Sequence, residues 1–306
     1  MFARDILILL STHNPGPFLS DQLESLRSQT VSARIHLLIR DDGSTDPPLG
    51  DLEAMDLSPL SVEIHQGPNL GARDSFTNLI SQVPEGYSTI MVCDQDDVWM
   101  PGKVELAATR IDEVGRGIPT LYCGRSLITD ATLTPLGITD NATRGPSFRN
   151  SLFQNIAPGH TMAFNYELAL LYTSTINPSA IMHDWWLYCL ASGLGQVIFE
   201  STPQTYYRLH NANQIGYAHT RTQRLLKGTQ GLVSYDRSSL TRQARALMAE
   251  IGPQLKAEDH NMLAAFLRQN RFTDRLDFLR RYPLISQRGH PIVSTLLFAL
   301  GLYRHR

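Results

Sequence analysis

Residues 5–46 read DILILLSTHNPGPFLSDQLESLRSQTVSARIHLLIRDDGSTD, and the order of apolar and polar runs in this stretch decides the fold. Asp5 to Leu10 is a short apolar run that stops at Ser11-Thr12-His13-Asn14-Pro15. A run of that length bounded by turn residues is a buried strand, and Asn-Pro and Gly-Pro punctuate loops. Phe18, Leu19, Leu23 and Leu26 then recur at helical spacing up to Gln29, and Ile35 to Ile39 is a second buried strand ending in Arg40-Asp41-Asp42-Gly43-Ser44-Thr45-Asp46. Strand, helix and strand at this separation form a βαβ unit, which requires parallel strands and a right-handed crossover.

The alternation continues outward. Val62 to His65 reads as a strand, Ala72 to Gln82 as a helix and Thr89 to Cys93 as a strand. Each of the four strand runs ends in a polar cluster: STHN, RDDGSTD, QGPNLG and CDQDD. In open α/β sheets the ligand lies beyond the carboxyl ends of the strands, so the four clusters point at one shared pocket. Further along, Val104 to Val114 and Met182 to Ser192 read as helices, and Leu121 to Cys123, Thr161 to Phe164 and Val197 to Phe199 as strands. After Tyr217 the chain turns Arg-rich, with helices expected over 221–232, 238–251, 258–270 and 271–282. The expected organisation is an α/β domain over 1–217 and a basic helical region over 218–306.

With 42% hydrophobic and 18% charged residues in 306, the chain can bury a core and is not a disordered composition. Cys93, Cys123 and Cys189 lie far apart without paired spacing, which argues against a disulfide framework or a structural zinc site and fits a reducing compartment. The opening apolar run is of strand rather than signal-peptide length, so a cytoplasmic location is expected. The net charge of −2 is uneven: residues 1–220 carry 12 Lys and Arg against 23 Asp and Glu, and residues 221–306 carry 15 against 6. Such a basic region either meets an acidic partner, a phosphate or a membrane surface, or packs on the acidic domain. Pro291 to Tyr303 is apolar but shorter than the roughly 20 residues that span a bilayer. It could dock on the domain or lie on a membrane surface beside Arg304 and Arg306. No nucleic-acid partner is expected.

CDQDD places Asp94, Asp96 and Asp97 at the end of an apolar run, although carboxylates are seldom buried without a partner. An Asp-x-Asp at a strand end can hold a hard divalent cation through oxygen, and the cation would neutralise a diphosphate. A solvated aspartate-rich turn has the same composition. RDDGSTD is likewise open between an Asp/Gly/Ser turn and a loop in which Asp41 or Asp42 accepts from a nucleobase N–H.

Taken in order, ILLSTHN, QLESLRSQT, RDDGSTD, NLGARDSFTNLI, CDQDDVW, PGHTMAFN, HDWWLYCLASG and YRLHNANQIG resemble the family 2 glycosyltransferases, and within them the bacterial rhamnosyltransferase-like members. The resemblance spans roughly residues 5–216. It implies a GT-A fold (a mixed, mainly parallel sheet flanked by helices), an inverting mechanism, a nucleotide-diphosphate sugar donor and Mg²⁺ or Mn²⁺. It further implies that Thr12, Asn14, Asp41 and Asp42 hold the base, that Asn69 and Arg73 line the nucleotide, and that Asp94 lies near the ribose. Asp96 would reach the metal, with His210 near the metal or diphosphate, and Asp184 would be the catalytic base. Asp97, Gly159 and His160 would face the donor sugar or acceptor. Where relatives commonly have Glu-Asp and Gly-Cys-Thr-Met, this chain has His183-Asp184 and Gly159-His160-Thr161-Met162. Of Trp185 and Trp186, one is expected in the core and one facing acceptor. Arg208 either assists the leaving group or pairs with an acidic loop, His183 reads as a local structural partner, and His13 as a loop residue.

The expected activity is transfer of a sugar, L-rhamnose from dTDP-L-rhamnose as first guess, onto a hydroxyl of a lipid-linked bacterial surface-glycan precursor. The alternatives are the same chemistry with a UDP-hexose, a nucleotide-sugar-binding protein without transfer, and a metal-dependent nucleotide-sugar hydrolase.

Overall fold

The computed structural model describes residues 5–45, 56–142, 144–210, 237–269 and 271–284. Its centre is a seven-stranded sheet built from β1 (Asp5–Thr12), β2 (Arg34–Asp42), β3 (Ser61–Gly67), β4 (Thr89–Cys93), β6 (Thr120–Gly124), β9 (Ala163–Phe164) and β10 (Gln196–Glu200), in the order β10-β6-β9-β4-β1-β2-β3. Every neighbouring pair is parallel except β9, which runs antiparallel between β4 and β6.

The continuous apolar runs follow from burial on both faces. Along β1, Leu7 and Leu9 enter one core while Ile6, Ile8 and Leu10 enter the other, the alternation a pleated strand imposes. On the second side lie Leu19, Leu23 and Leu26 of the helix Leu19–Arg27 and Val104, Ala107 and Ile111 of the helix Lys103–Val114. On the first side lie the helices Ala72–Ser81, Tyr166–Ser174 and His183–Leu194.

A second, four-stranded sheet orders β5 (Val98–Trp99), β11 (Thr205–Arg208), β7 (Leu127–Thr129) and β8 (Pro135–Ile138) as β5-β11-β7-β8. It was not anticipated, because strands of two to four residues carry no readable period. The expected strand Thr161 to Phe164 is also corrected: Gly159–Thr161 is a 3₁₀ turn and only Ala163–Phe164 pairs.

In the C-terminal region, the helices Arg237–Glu250, Ala257–Leu267 and Phe272–Arg281 match the expected periodicity. Leu240, Ala244, Leu247, Leu263 and Phe278 join the core beneath the helix His183–Leu194. Gln243 Oε1 accepts from Ile181 N at 2.9 Å, and Asn177 Nδ2 donates to Glu250 Oε1 at 3.0 Å. The expected helix over 221–232 and the apolar stretch 291–303 lie outside the described residues. Among the described residues no helix is long and apolar enough to cross a membrane.

The junction between the helix His183–Leu194 and β10 is closely packed. A Cβ on Gly195 would stand 1.8 Å from the carbonyl oxygen of Pro119, a backbone atom that cannot swing aside. Gly195→Ala is therefore expected to destabilise the chain by about 3 kcal/mol, read as a lower midpoint in urea unfolding. An unchanged midpoint would contradict this packing.

Candidate active site

The polar clusters at the ends of β1 to β4 converge on His13. Its Nδ1 lies 3.0 Å from the Asp42 carbonyl oxygen, and its Nε2 lies 3.2 Å from both Asn14 Nδ2 and Asn69 Nδ2. The His13 N–H donates to Gln95 Oε1 at 2.8 Å. A residue read from sequence as part of a loop thus ties all four strand ends together. Asn14, at φ 43°, accepts from Thr45 N at 3.0 Å and donates its own N–H to Ser44 Oγ. Asp41 accepts from Ser44 N and Oγ, and lies in register with buried Thr12. Asp42 turns inward: it pairs with Arg40 and accepts from the backbone N–H groups of Leu70 and Gly71. Arg73 is held by the Asp74 carboxylate and by the carbonyls of Pro178 and Ala180.

The turn after β4 gathers charges of both signs. Asp96 Oδ2 meets His210 Nε2 at 2.8 Å, and the His210 ring packs on Phe18. Asp97 is fully buried: Oδ1 accepts from Arg208 N, while Oδ2 has no hydrogen-bond partner among the described residues. The Arg208 guanidinium donates to Asp21 and to the carbonyls of Asp96 and Ala131, which favours the acidic-pair reading of this residue. Below the turn lies Lys103, 1% exposed, whose Nζ donates to His160 O at 2.5 Å and Thr205 Oγ1 at 2.9 Å and sits over the Trp99 ring. Burial pushes this ammonium down to about 7, opposed by the nearby Cys93, Asp97 and Asp94. Burial, then the charges of Asp96 and Asp184, pushes Asp94 up to about 7, and burial with Asp94 and Asp96 holds Asp97 well above the usual range. One ligand atom each from Asp94, Asp97 and His160 falls within 4.8 Å of the others. The unpartnered Asp97 oxygen and the oxygen-rich donor set suit a hard cation, whose charge would reverse these upward shifts.

Asp184 opens the helix His183–Leu194. Its oxygens accept from Trp185 N at 2.6 Å and Gly159 N at 3.1 Å, and Asn155 adds a side-chain hydrogen bond. Burial raises its carboxyl to about 6, against these bonds, which lower it. His160 Nδ1 lies 3.8 Å from Asp94, with Nε2 2.8 Å from Ser126 Oγ and the ring stacked on Tyr207. His183 packs on Phe76 and beneath Gly159, and burial lowers it to about 3, which keeps it neutral beside Asp184. The acceptor-facing tryptophan is corrected. Trp185 and Trp186 are both core, their indoles donating to Ser151 O and Thr175 Oγ1, because this helix is buried on nearly all sides.

Residues 7–144 match the family model described as Glycosyl transferase family 2. The chain is 29% identical over 221 residues to the dTDP-rhamnosyl transferase RfbG of Shigella flexneri, covering 68% of this chain and 73% of the relative. It is a glycosyltransferase, with the family 2 match lying in residues 7–144. Among solved structures, S. aureus TarS 1–349 in complex with UDP-GlcNAc superposes with a TM-score of 0.54 at 14% identity, over 91% of this chain and 82% of that one. The same protein with UDP gives 0.54 at 13% identity, over 98% and 89%. At such identities the likeness concerns the fold, which is GT-A.

Sequence reasoning missed Lys103, His13 and Gln95 as parts of this glycosyltransferase's site. Lys103 carried a signal, since it shares the buried stripe of its helix with Ala107 and Ile111. His13 and Gln95 sit in loops, where no period marks which side chain turns inward.

The raised Asp184 carboxyl makes a prediction about stability. A folded-state value near 6 against the ordinary 3.8 means that ionisation costs the native state, so stability is lost as pH rises through that window. Asp184→Asn removes the cost. It is expected to unfold at a higher temperature than the parent at pH 8, by an amount on the order of 1–2 kcal/mol, with the difference closing toward pH 4. A variant less stable than the parent at pH 8 would contradict the burial cost.

Proposed function

We propose that this glycosyltransferase moves L-rhamnose from dTDP-L-rhamnose onto a hydroxyl of a bacterial surface-glycan precursor, in an inverting single displacement with Asp184 as base. The observation that carries the chemistry is the Asp184 carboxylate, raised to about 6 and placed within electrostatic reach of Asp94 at the end of β4. A base with a value just below neutral is ionised at working pH yet still accepts a proton, which suits general-base catalysis. The first choice of donor rests on the likeness to a dTDP-rhamnosyl transferase.

The acceptor hydroxyl oxygen attacks the anomeric carbon as its proton passes to Asp184, and the bond from that carbon to the diphosphate oxygen breaks, the electron pair leaving with the nucleotide. The strand-end loops carrying Thr12, Asn14, Asp41, Asn69 and Arg73 hold the nucleotide in this reading, and Gly159 and His160 border the donor sugar. Mg²⁺ or Mn²⁺ would be held by Asp96 and His210, which already touch, with Asp94, Asp97 and His160 beside them, and it would supply Lewis-acid stabilisation of the leaving diphosphate. The acceptor's lipid carrier, and a membrane-surface role for the basic C-terminal region, complete the proposal.

Thermal-shift measurement with dTDP, UDP and their sugars, with and without Mn²⁺, tests the donor. A ligand that binds only the folded chain raises its stability by mass action. The largest metal-dependent shift is expected with dTDP; preference for UDP would replace rhamnose with a UDP-hexose, and no shift with any nucleotide would overturn the reading. Separately, Asp184→Asn is expected to lower kcat by about 10²–10⁴ while nucleotide binding persists. Parent activity should fall on acidification through about pH 6 as Asp184 takes up a proton. Nucleotide binding without transfer in the parent, left intact by Asp184→Asn, would point to a binding protein; turnover independent of acceptor would point to a hydrolase; and full transfer activity in the variant would remove Asp184 as the base.

A further inference from the structure

We propose that Arg40 and Asp42 are positioning residues: a buried ionic strut that sets the loop 68–71 and, through it, the Asn69 amide in the nucleotide cleft. The inference rests on the proposed nucleotide site for its consequence, though not for its geometry.

Adjacent residues of a strand project to opposite faces, so the paired aspartates at the end of β2 cannot do the same work. Asp41 serves the Ser44 turn. Asp42, 3% exposed, lies on the other side against Arg40, itself 4% exposed. Its oxygens are then completed by two backbone donors, Leu70 N at 2.9 Å and Gly71 N at 2.8 Å. Arg40 spreads its remaining donors to Pro68 O at 2.9 Å and Ser75 Oγ at 2.9 Å, and Ser75 Oγ meets Ser11 Oγ of β1 at 2.6 Å. One ion pair therefore fixes both ends of a four-residue loop and the first turn of the helix Ala72–Ser81.

The loop is also held sterically. A Cβ on Gly43 would fall 2.6 Å from Asn69 N, and one on Gly67 would fall 2.9 Å from Arg40 Nη2. What this closeness delivers is Asn69, whose Oδ1 accepts from Gly71 N at 3.0 Å and whose Nδ2 meets His13 at 3.2 Å. A carboxylate already bound by a guanidinium and two amides is poorly available to a base. Its influence on the nucleotide passes through the loop.

Two measurements separate this from direct contact. In the free protein, Asp42→Asn is expected to speed hydrogen exchange at the Leu70 and Gly71 amides at least tenfold while amides of β1 and β4 hold. Unchanged exchange there would overturn the strut, whatever nucleotide binds. Then dTDP and UDP affinities are measured for the parent, Asp42→Asn, Asn69→Ala and the double variant. Each single change is expected to weaken binding about tenfold, with the donor KM rising and kcat held. The double variant should be no weaker than Asn69→Ala, since residues acting through one path are not additive. A roughly hundredfold, additive loss would place Asp42 directly on the nucleotide, and no loss on Asp42→Asn would also overturn the proposal. Failure of the parent to bind either nucleotide would refute the proposed donor site, leaving the exchange measurement to decide the strut. Should Asp42→Asn fold poorly, Arg40→Lys keeps the charge but not the fork and is read in the same two ways.

Discussion

Burial, and after it the charges of neighbouring carboxylates, raises the carboxyls of Asp94 and Asp97 in the turn after β4, and much of the surrounding architecture serves to hold them there. Left alone, like charges in a poorly solvated turn would push the turn open. Opposing basic groups are supplied from elements remote in sequence, Lys103 from the start of a helix and Arg208 from the last residue of β11, and the ring of His210 just beyond it hydrogen-bonds Asp96. Lys103 touches Thr205 of β11 and covers Trp99 of β5, while the Arg208 backbone binds Asp97. The small second sheet can therefore be understood as the scaffold that brings counter-charge to the large one. It explains how a fully buried Asp97 is tolerated although one of its oxygens has no hydrogen-bond partner among the described residues.

The same logic operates on a smaller scale at β2, where Arg40 balances Asp42 below the cleft. In both places a buried cation is bound by carbonyl or hydroxyl oxygens as well as facing carboxylates, so its donors are satisfied before any ligand arrives. A ligand entering the cleft meets side chains whose positions have already been fixed by these pairs. Preorganisation of this kind is what allows electrostatic stabilisation without reorganisation during the reaction.

The large sheet was legible because β1, β2 and β4 are uninterrupted apolar runs, each closed by a polar cluster, and the topology of parallel crossovers then leaves little choice. The position of Asp184 at a helix start was legible because Met182 to Ser192 reads as one continuous helix, and the helix His183–Leu194 forms there. The second sheet was illegible for a physical reason. Val98–Trp99 is two residues long, and its partner Thr205–Arg208 is more than a hundred residues away, so neither local period nor proximity announces the pairing. Trp185 and Trp186 misled for the opposite reason: a helix buried nearly all round shows no polar face from which to judge which indole looks outward. Asp42 matched its motif position, yet its carboxylate is engaged by groups nearly thirty residues downstream, which no motif states.

The helix Arg237–Glu250 has a consequence for how the enzyme comes to life. Its Gln243 side chain braces the Ile181 amide, three residues ahead of Asp184, and its Leu240, Ala244 and Leu247 close the core against which the helix His183–Leu194 rests. During synthesis the whole seven-stranded sheet leaves the ribosome before that brace does. A nascent chain can complete its strands and still lack a firmly seated Asp184, so the final packing of this helix start arrives late, with the C-terminal helices rather than with the sheet.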